Sequence, residues 1–497
     1  MQLLKPLINF FAATIISTGL GAAELPRDLG NRGFELADLT SNSKLLHWRT
    51  VGDGPVIEID DAIKFAGKQS VRILCKEGKS FGGIGQSIDA LPWRGKIVQL
   101  SAMLRFESKG SGSVGLWLRA DGSRTDPAAF TSTYNLPPPG DGAWTIRTAI
   151  LVVPDDANAL VFGAANISNG TMWADEFSLS EFHDDSGAPN LPAVQQYLLE
   201  AIGKIREVAL NAPKVDWDKQ ARVANFLAKD ATSFAEAYSA IDYLLKSLRD
   251  NHSMLILPSA ARQLLENKRT DDFGLRSERI GPFAYVALSG YSGNAPSRVA
   301  AYIDDLKGRI YRLDDPAVCG WIVDLRANGG GNMWPMMAGL APLLGEGESG
   351  AFISPKGKTV WGIDPRGEPF VGSTKPSATT QTRFIQNGNA YTAVLIGART
   401  ASSGEAIAVA FRGKPNVRSF GESTRGLSTA NSTVSLSDGA LMAITTSVFA
   451  DRTGATYGNK IVPDEVVATA APDSSATEDP VVIAASKWLN SVNTCGK

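Results

Sequence analysis

Between residues 281 and 470 one pattern repeats: a short, nearly unbroken apolar run, a loop rich in Gly or Ser, then a stretch of helical period. The apolar runs are FAYVALS (283–289), CGWIVDLR (319–326) and YTAVLIG (391–397). A nearly continuous apolar run of this length reads as a buried strand, and its alternation with helical stretches implies an α/β layer. The intervening segments APSRVAAYIDDLKG (295–308), MWPMMAGLAPLLG (333–345) and SSGEAIAVAFRG (402–413) supply those helices. NVRSFG (416–421) reads as a further short strand, and GALMAITTSVFAD (439–451) as β feeding into IVPDEVV (461–467). In such α/β layers, ligands collect at the carboxyl ends of the strands.

The chain before this region has a different texture. Residues 31–182 carry short β-type runs, among them SVRILC (70–75), IVQLSAMLRF (97–106) and SVGLWLRA (113–120), between Gly, Asp and Pro turns. Many short strands with turn-rich joints predict a sandwich or jelly roll. A polar, Pro-containing linker is expected at 184–192. Helical periodicity follows in 193–210, 216–230 and 233–250, the last opening on Ser233 with Glu236 three residues on, the pattern of a capping box. The predicted division is therefore 1–23, 24–183 (all-β module), 184–192 (linker), 193–280 (helical subdomain), 281–475 (α/β core) and 476–497 (C-terminal helix and tail). Residues 1–23 combine Lys5, an apolar stretch and the small residues Gly21 and Ala23, and read as a secretory signal peptide cleaved before Glu24. The expectation is export to the periplasm or cell exterior, without stable membrane insertion.

Composition removes several classes. In 497 residues, 49 Lys plus Arg balance 51 Asp plus Glu, so no charged field is available to hold nucleic acid. The three cysteines, Cys75, Cys319 and Cys495, lack metal-site spacing. The three histidines are His47, His183 and His252, and no H-E-x-x-H occurs. Neither a metal nor a cofactor is expected.

Two loops carry candidate chemistry. DLRANGGGN (324–332) follows a buried strand, and its glycines let backbone N–H groups approach a ligand closely; it matches neither a P-loop nor G-x-G-x-x-G. GARTASSGEAIA (397–408) follows another, with Ser402 and Ser403 where strand turns into helix. A serine there either caps the helix or stands as an exposed nucleophile beside free N–H groups. His252, in SLRDNHSML (247–255), is the sole histidine in 193–497 and so the imidazole candidate for a base. Trp48, Trp117 and Trp173 in the β region either stack on a sugar or fill a sandwich core, and the core is favoured.

DNHS (250–253), IVDLRANGGGN (322–332) and TASSGEAIAVAF (400–411) followed by FGESTRGLS (420–428) together resemble the C-terminal processing peptidases, also called tail-specific proteases (peptidase family S41), and in particular their tricorn-like and retinoid-binding-protein-like branch. The resemblance covers about 193–470. It implies a crotonase-like α/β fold and a serine peptidase acting on a peptide or protein. By position, Ser402 matches the nucleophile, Ser403 supplies an oxyanion-hole N–H, and Gly330 or Gly331 supplies the other. The lysine of the processing branch falls at Leu427, so the resemblance implies that His252 serves as base, with Glu422, Asp451 or Asp464 as candidates to orient it. The short span from His252 to residue 283 leaves no room for a PDZ domain. NRGFE (31–35), GKQSVRI (67–73) and WADEFSL (173–179) resemble jelly-roll modules attached to secreted, sugar-active enzymes, which adds a polysaccharide or cell-surface glycan as a partner. Two alternatives stay open: an esterase on the same scaffold, and an inactive binding protein. An unperturbed imidazole predicts activity rising with pH through 6 to 7.5.

Overall fold

A computed structural model describes residues 25–492 apart from 37–44, 53–54, 76–80, 109–112, 124–126, 135, 137–139, 141, 168–169, 184–188, 267–271, 377–381 and 470–477. The signal-peptide expectation at 1–23, and 184–188 of the expected linker, lie outside the described residues. The chain divides into two compact units: Met1–Gly203 with Lys214–Arg249, and Lys204–Pro213 with Asp250–Lys497.

The first unit is built on strands β1 (Arg49–Gly52), β2 (Val56–Asp60), β3 (Ser70–Leu74), β4 (Gly82–Asp89), β5 (Ile97–Ser108), β6 (Val114–Asp121), β7 (Ala129–Ser132), β8 (Thr145–Val152), β9 (Ala159–Asn166) and β10 (Gly170–Glu181). They form two antiparallel sheets, in the orders β1-β4-β9-β6-β7 and β2-β3-β10-β5-β8. Alternate residues such as Val71, Ile73, Leu100, Leu104, Leu116 and Phe162 point into one shared core, as a period-2 pattern requires when each sheet buries a face. Trp48 packs in that core, 4.6 Å from Phe177 between ring centroids. Trp117 is buried against Phe81, Tyr134 and Val161, and Trp173 is buried with its indole N–H donated to Asp60 (2.7 Å). All three are core residues, and none presents a face for sugar stacking.

Helix α1 (Pro192–Val208) begins in the first unit and ends in the second. Helices α2 (Trp217–Leu227) and α3 (Tyr238–Lys246), expected as part of a subdomain over 193–280, lie in the first unit. Val223 and Tyr243 enter the sandwich core, and the Tyr243 hydroxyl accepts from the Val152 N–H (3.2 Å). Asp216 caps α2 by accepting from the Lys219 N–H. The expected capping box at Ser233 does not form there. Glu236 instead accepts from the backbone and hydroxyl of Thr232 (2.7 and 3.0 Å), and a single 3₁₀ turn precedes α3.

In the second unit, β11 (Met254–Ile256), α4 (Pro258–Glu266), β12 (Arg276–Ile280), β13 (Phe283–Ala287), α5 (Pro296–Leu313), β14 (Trp321–Asp324) and α6 (Met333–Leu344) are followed by β15 (Gly347–Ser354), β16 (Gly357–Ile363), β17 (Pro369–Val371), β18 (Thr392–Ile396), α7 (Ser403–Phe411), β19 (Val417–Gly421), β20 (Thr429–Ser435), β21 (Leu441–Asp451), β22 (Glu465–Val466) and α8 (Pro480–Val492). One sheet runs β12-β13-β14-β18-β19-β22, parallel from β13 onward with β12 as an antiparallel edge. Every residue of β14 and β18 is buried. One face of this sheet packs with α5, α6 and α7, the other with Val481, Val482, Ala485 and Leu489 of α8. The second sheet runs β11-β21-β15-β16-β17, with β20 also paired to β21. Pro335 sits in the first turn of α6, where no intrahelical N–H is required of it. Among the described residues no helix is long and apolar enough to cross a membrane.

Candidate active site

Strands β14 and β18 are parallel neighbours, so the loops leaving their carboxyl ends emerge side by side. Hydrogen bonds stitch the two loops together. Leu325 N–H donates to the Leu395 carbonyl (2.8 Å), the Thr400 hydroxyl to the Leu325 carbonyl (2.9 Å), and Ala401 N–H to the Asn328 carbonyl (3.0 Å). The result places the glycine loop directly against the start of α7. Gly330 has φ +100°, and a Cβ there would stand 2.8 Å from the Ser402 Cβ and 3.2 Å from the Ser403 nitrogen. Gly331 has φ +116°, and a Cβ would meet the Tyr291 carbonyl oxygen at 1.9 Å. Only glycine satisfies both the dihedral and the space.

Ser402 is the residue before α7 and holds φ +53°, ψ −120°. A left-handed φ at a non-glycine residue costs about 1–2 kcal/mol and persists only where neighbours enforce it. The enforcing group is Glu405. Its carboxylate is fully buried, and its Oε2 accepts from Ser402 N–H and Leu427 N–H (both 2.8 Å). Its Oε1 accepts from the Thr424 hydroxyl (2.5 Å) and Gly426 N–H (3.1 Å). Burial raises the carboxyl pKa, and the four donors oppose that rise.

The Ser403 side chain is committed elsewhere, its hydroxyl donating to the Gly331 carbonyl (2.5 Å). Gly330 N–H is also occupied, donating to the side-chain oxygen of fully buried Asn328 (3.1 Å). Gly331 N–H and Ser403 N–H have no hydrogen-bond partner among the described residues.

His252 is 5% exposed. Its Nδ1 lies 2.7 Å from the Thr429 hydroxyl, its carbonyl accepts from the Asn431 side chain (3.0 Å), and its N–H donates to Asp250 (3.0 Å). Burial lowers the imidazole pKa to about 4, partly opposed by the negative charge of Asp250. The three acids expected to orient it are bonded elsewhere. Glu422 accepts from the Thr469 hydroxyl (2.6 Å). Asp451 organises the following turn through Thr453, Ala455 and the Tyr457 hydroxyl. Asp464 accepts from the backbone and hydroxyl of Ser419. Among the described residues no group of three His, Cys, Asp or Glu is arranged to hold a metal.

Five residues with parts in this arrangement have no role assigned from the sequence, where Glu405 serves only as the motif position that fixes the register of Ser402. Glu405 carried a signal, standing three residues after a serine at a helix start. Asn328 and the buried pair Asp324–Arg326 (2.6 Å), braced by Asp479 and the Tyr285 hydroxyl, lie within the glycine-loop motif or pack on it. Thr429 carried none, being 177 positions from His252.

Residues 282–467 match the model of peptidase family S41. The chain is similar to a nisin-resistance protein of Lactococcus lactis subsp. lactis, 29% identical over 288 residues that span 58% of this chain and 87% of that protein. It is also similar to a carboxyl-terminal-processing protease of Synechocystis sp., 29% identical over 188 residues, covering 37% of each chain. Among solved structures, a lipoprotein from Streptococcus agalactiae aligns with a TM-score of 0.49 at 23% identity, covering 61% of this chain and 97% of that one. Over residues 282–467 the chain carries the fold of peptidase family S41.

Proposed function

We propose that this chain is an exported serine peptidase of the tail-specific protease type, with Ser402 as nucleophile and His252 as base, and with neither a catalytic lysine nor a PDZ domain. The observation that carries the proposal is Ser402 itself, held at φ +53° at the start of α7 beside Gly330. A strained strand-to-helix turn presents a hydroxyl at the positive end of a helix, next to unspent N–H groups. The hydroxyl of Ser403, by contrast, is spent on the Gly331 carbonyl.

In the proposed reaction His252 Nε2 takes the proton of the Ser402 hydroxyl as its oxygen attacks the peptide carbonyl carbon. The oxyanion is held by Ser403 N–H and Gly331 N–H. Gly331 is preferred to Gly330, because Gly330 N–H already serves Asn328. The imidazolium then protonates the departing amine, and water hydrolyses the acyl-enzyme by the same steps. One such oxyanion donor is worth about 3 kcal/mol. The topologies we assign are crotonase-like for the peptidase core and jelly-roll for the β module. Export is supported by residues 1–23 and by the disulfide bond of Cys319, a bond characteristic of oxidising compartments. If the β module tethers the enzyme to a polysaccharide, the exposed Phe65, facing Trp144 at 5.9 Å, replaces the three buried tryptophans as the aromatic surface.

Mass spectrometry of the 400–412 peptide after fluorophosphonate treatment tests the assignment, with the label expected on Ser402. Ser402→Ala should abolish labelling in a folded protein, while Ser403→Ala should retain it. Label on Ser403 would refute the register, and label on neither would favour an inactive binding protein. Turnover of unfolded protein against small esters separates peptidase from esterase. Nisin belongs among the test substrates, because the Lactococcus relative is named for resistance to it.

A further inference from the structure

Among the described residues no carboxylate meets His252 Nδ1, although an imidazole base normally needs a partner there to fix which nitrogen carries the proton. Asp250, whose charge acts on the ring, spends its oxygens on its own turn. Oδ1 accepts from His252 N–H (3.0 Å) and Ser253 N–H (2.7 Å), and Oδ2 from the Ser253 hydroxyl (2.6 Å). The ring nitrogen meets Thr429 instead, a residue buried at the first position of β20.

We propose that Thr429 is the positioning residue for His252: its hydroxyl oxygen accepts a hydrogen bond from Nδ1–H and so leaves the Nε2 lone pair free to take the Ser402 proton. The inference rests on the Ser402–His252 reading above and adds the group that orients the base. Free neutral imidazole favours the opposite tautomer, with the proton on Nε2, which is useless as a base at that atom. A hydroxyl acceptor at 2.7 Å selects the productive tautomer without adding charge.

The surroundings make Thr429 a fixed rather than a casual partner. Thr429 and Asn431 are two apart on β20 and so point to one side of the strand. The first holds the imidazole ring and the second the His252 carbonyl (3.0 Å). Thr429 N–H donates to the Leu427 carbonyl (2.8 Å), and Leu427 N–H binds the same Glu405 oxygen that restrains Ser402. One buried carboxylate thus couples the nucleophile's turn to the segment that carries the base's partner. The position equivalent to the family's lysine, Leu427, takes part through its backbone alone.

The test uses the full chain with ¹⁵N-labelled histidine, Thr429→Val (isosteric and β-branched, hence suited to a strand) and Thr429→Ser. With three histidines in the chain, His252→Ala assigns its ring signals. At pH 7 the wild-type ring should be the Nδ1–H tautomer, and T429V should shift it toward Nε2–H. The same variant should lower kcat by about tenfold to a hundredfold, with KM changed by less than about twofold. T429S should restore both tautomer and kcat. A wild-type ring already in the Nε2–H form overturns the inference, as does a T429V protein with wild-type tautomer and kcat. If the tautomer responds as stated but wild-type protein neither labels at Ser402 nor hydrolyses peptides, the peptidase reading fails while the Thr429–His252 assignment stands.

Discussion

Glu405→Gln isolates how much of the active-site turn depends on one buried carboxylate. Glutamine keeps the shape but offers one acceptor oxygen and one NH₂. Its best fit places the carbonyl where Oε2 accepts from Ser402 and Leu427 (both 2.8 Å). The NH₂ then occupies the Oε1 site, facing the Thr424 hydroxyl and Gly426 N–H. Thr424 adapts, because its oxygen accepts only from Ile461 N–H (2.8 Å) and has a second lone pair. Gly426 N–H, on a half-buried residue, cannot adapt and is left facing another donor, a cost of about 1 kcal/mol, the low end for a buried donor. For a domain of this size that is roughly 2–4 °C in Tm per kcal/mol. Glu405→Ala strips all four donors, each bond to a charged acceptor being worth about 1.5–3 kcal/mol, and opens a cavity; a loss that large should leave the second unit unfolded. Equilibrium urea denaturation followed by Trp fluorescence measures the first variant. Fluorophosphonate labelling rates report the turn, and should fall as Ser402 leaves its φ of +53°. In the Glu405→Gln background, adding Ser402→Gly should return about 1 kcal/mol by relieving the backbone strain. Wild-type stability and labelling in Glu405→Gln, or a folded Glu405→Ala protein losing under about 1 kcal/mol, would show that the carboxylate does not hold the turn.

Burial of His252 moves the expected pH response well below the 6 to 7.5 window of a free imidazole. Peptidase activity should rise with pH through a midpoint about 4 and stay flat across 6 to 8. A kcat/KM profile with its acid limb near 6.5 would contradict that. Because the folded pKa is lower than the unfolded one, the unfolded chain binds the extra proton between pH 6.5 and about 4; stability present above 6.5 is lost as pH falls through that window, by about 3 kcal/mol in total. His252→Ala should flatten this part of the pH–stability curve. The thiols should titrate in an all-or-none manner. Cys319 is disulfide-bonded and Cys75 is buried with its pKa pushed up to about 11. Ellman's reagent should therefore find no fast thiol in native protein and one after denaturation without reductant. Trp48→Ala and Trp117→Ala should each destabilise the first unit by about 3–5 kcal/mol, seen by calorimetry; a stable variant that loses only polysaccharide binding would reverse the assignment of these rings to the core.

How far the sequence reaches depends on how local the deciding physics is. The strands at 321–324 and 392–396 were legible because a strand buried on both faces must be apolar at every position, and a loop leaving each was marked by glycines or a serine at a helix start. Their neighbouring placement at one end of the sheet follows from parallel pairing, which sets Gly330 against Ser402. The helices at 217–227 and 238–246 were legible as amphipathic, yet periodicity states which face is buried and not what buries it. Their partner proved to be the β-sandwich core. The same limit explains the acids. Asp451 closes β21 and accepts from the N–H groups of the turn that follows, and Asp464 precedes β22 and accepts from the backbone and hydroxyl of Ser419 in β19. No spacing rule distinguishes such a carboxylate from one that serves a histidine, and none connects Thr429 to His252. Such partners are fixed by strand register. Antiparallel pairing of β11 with β21, and of β20 with β21, sets residues 254–256 and 433–435 on the same three residues of β21. A one-residue slip in either pairing would turn alternate side chains to the opposite face. The partner of the candidate base is thus a property of the sheet, and of the core that holds its register, more than of either residue.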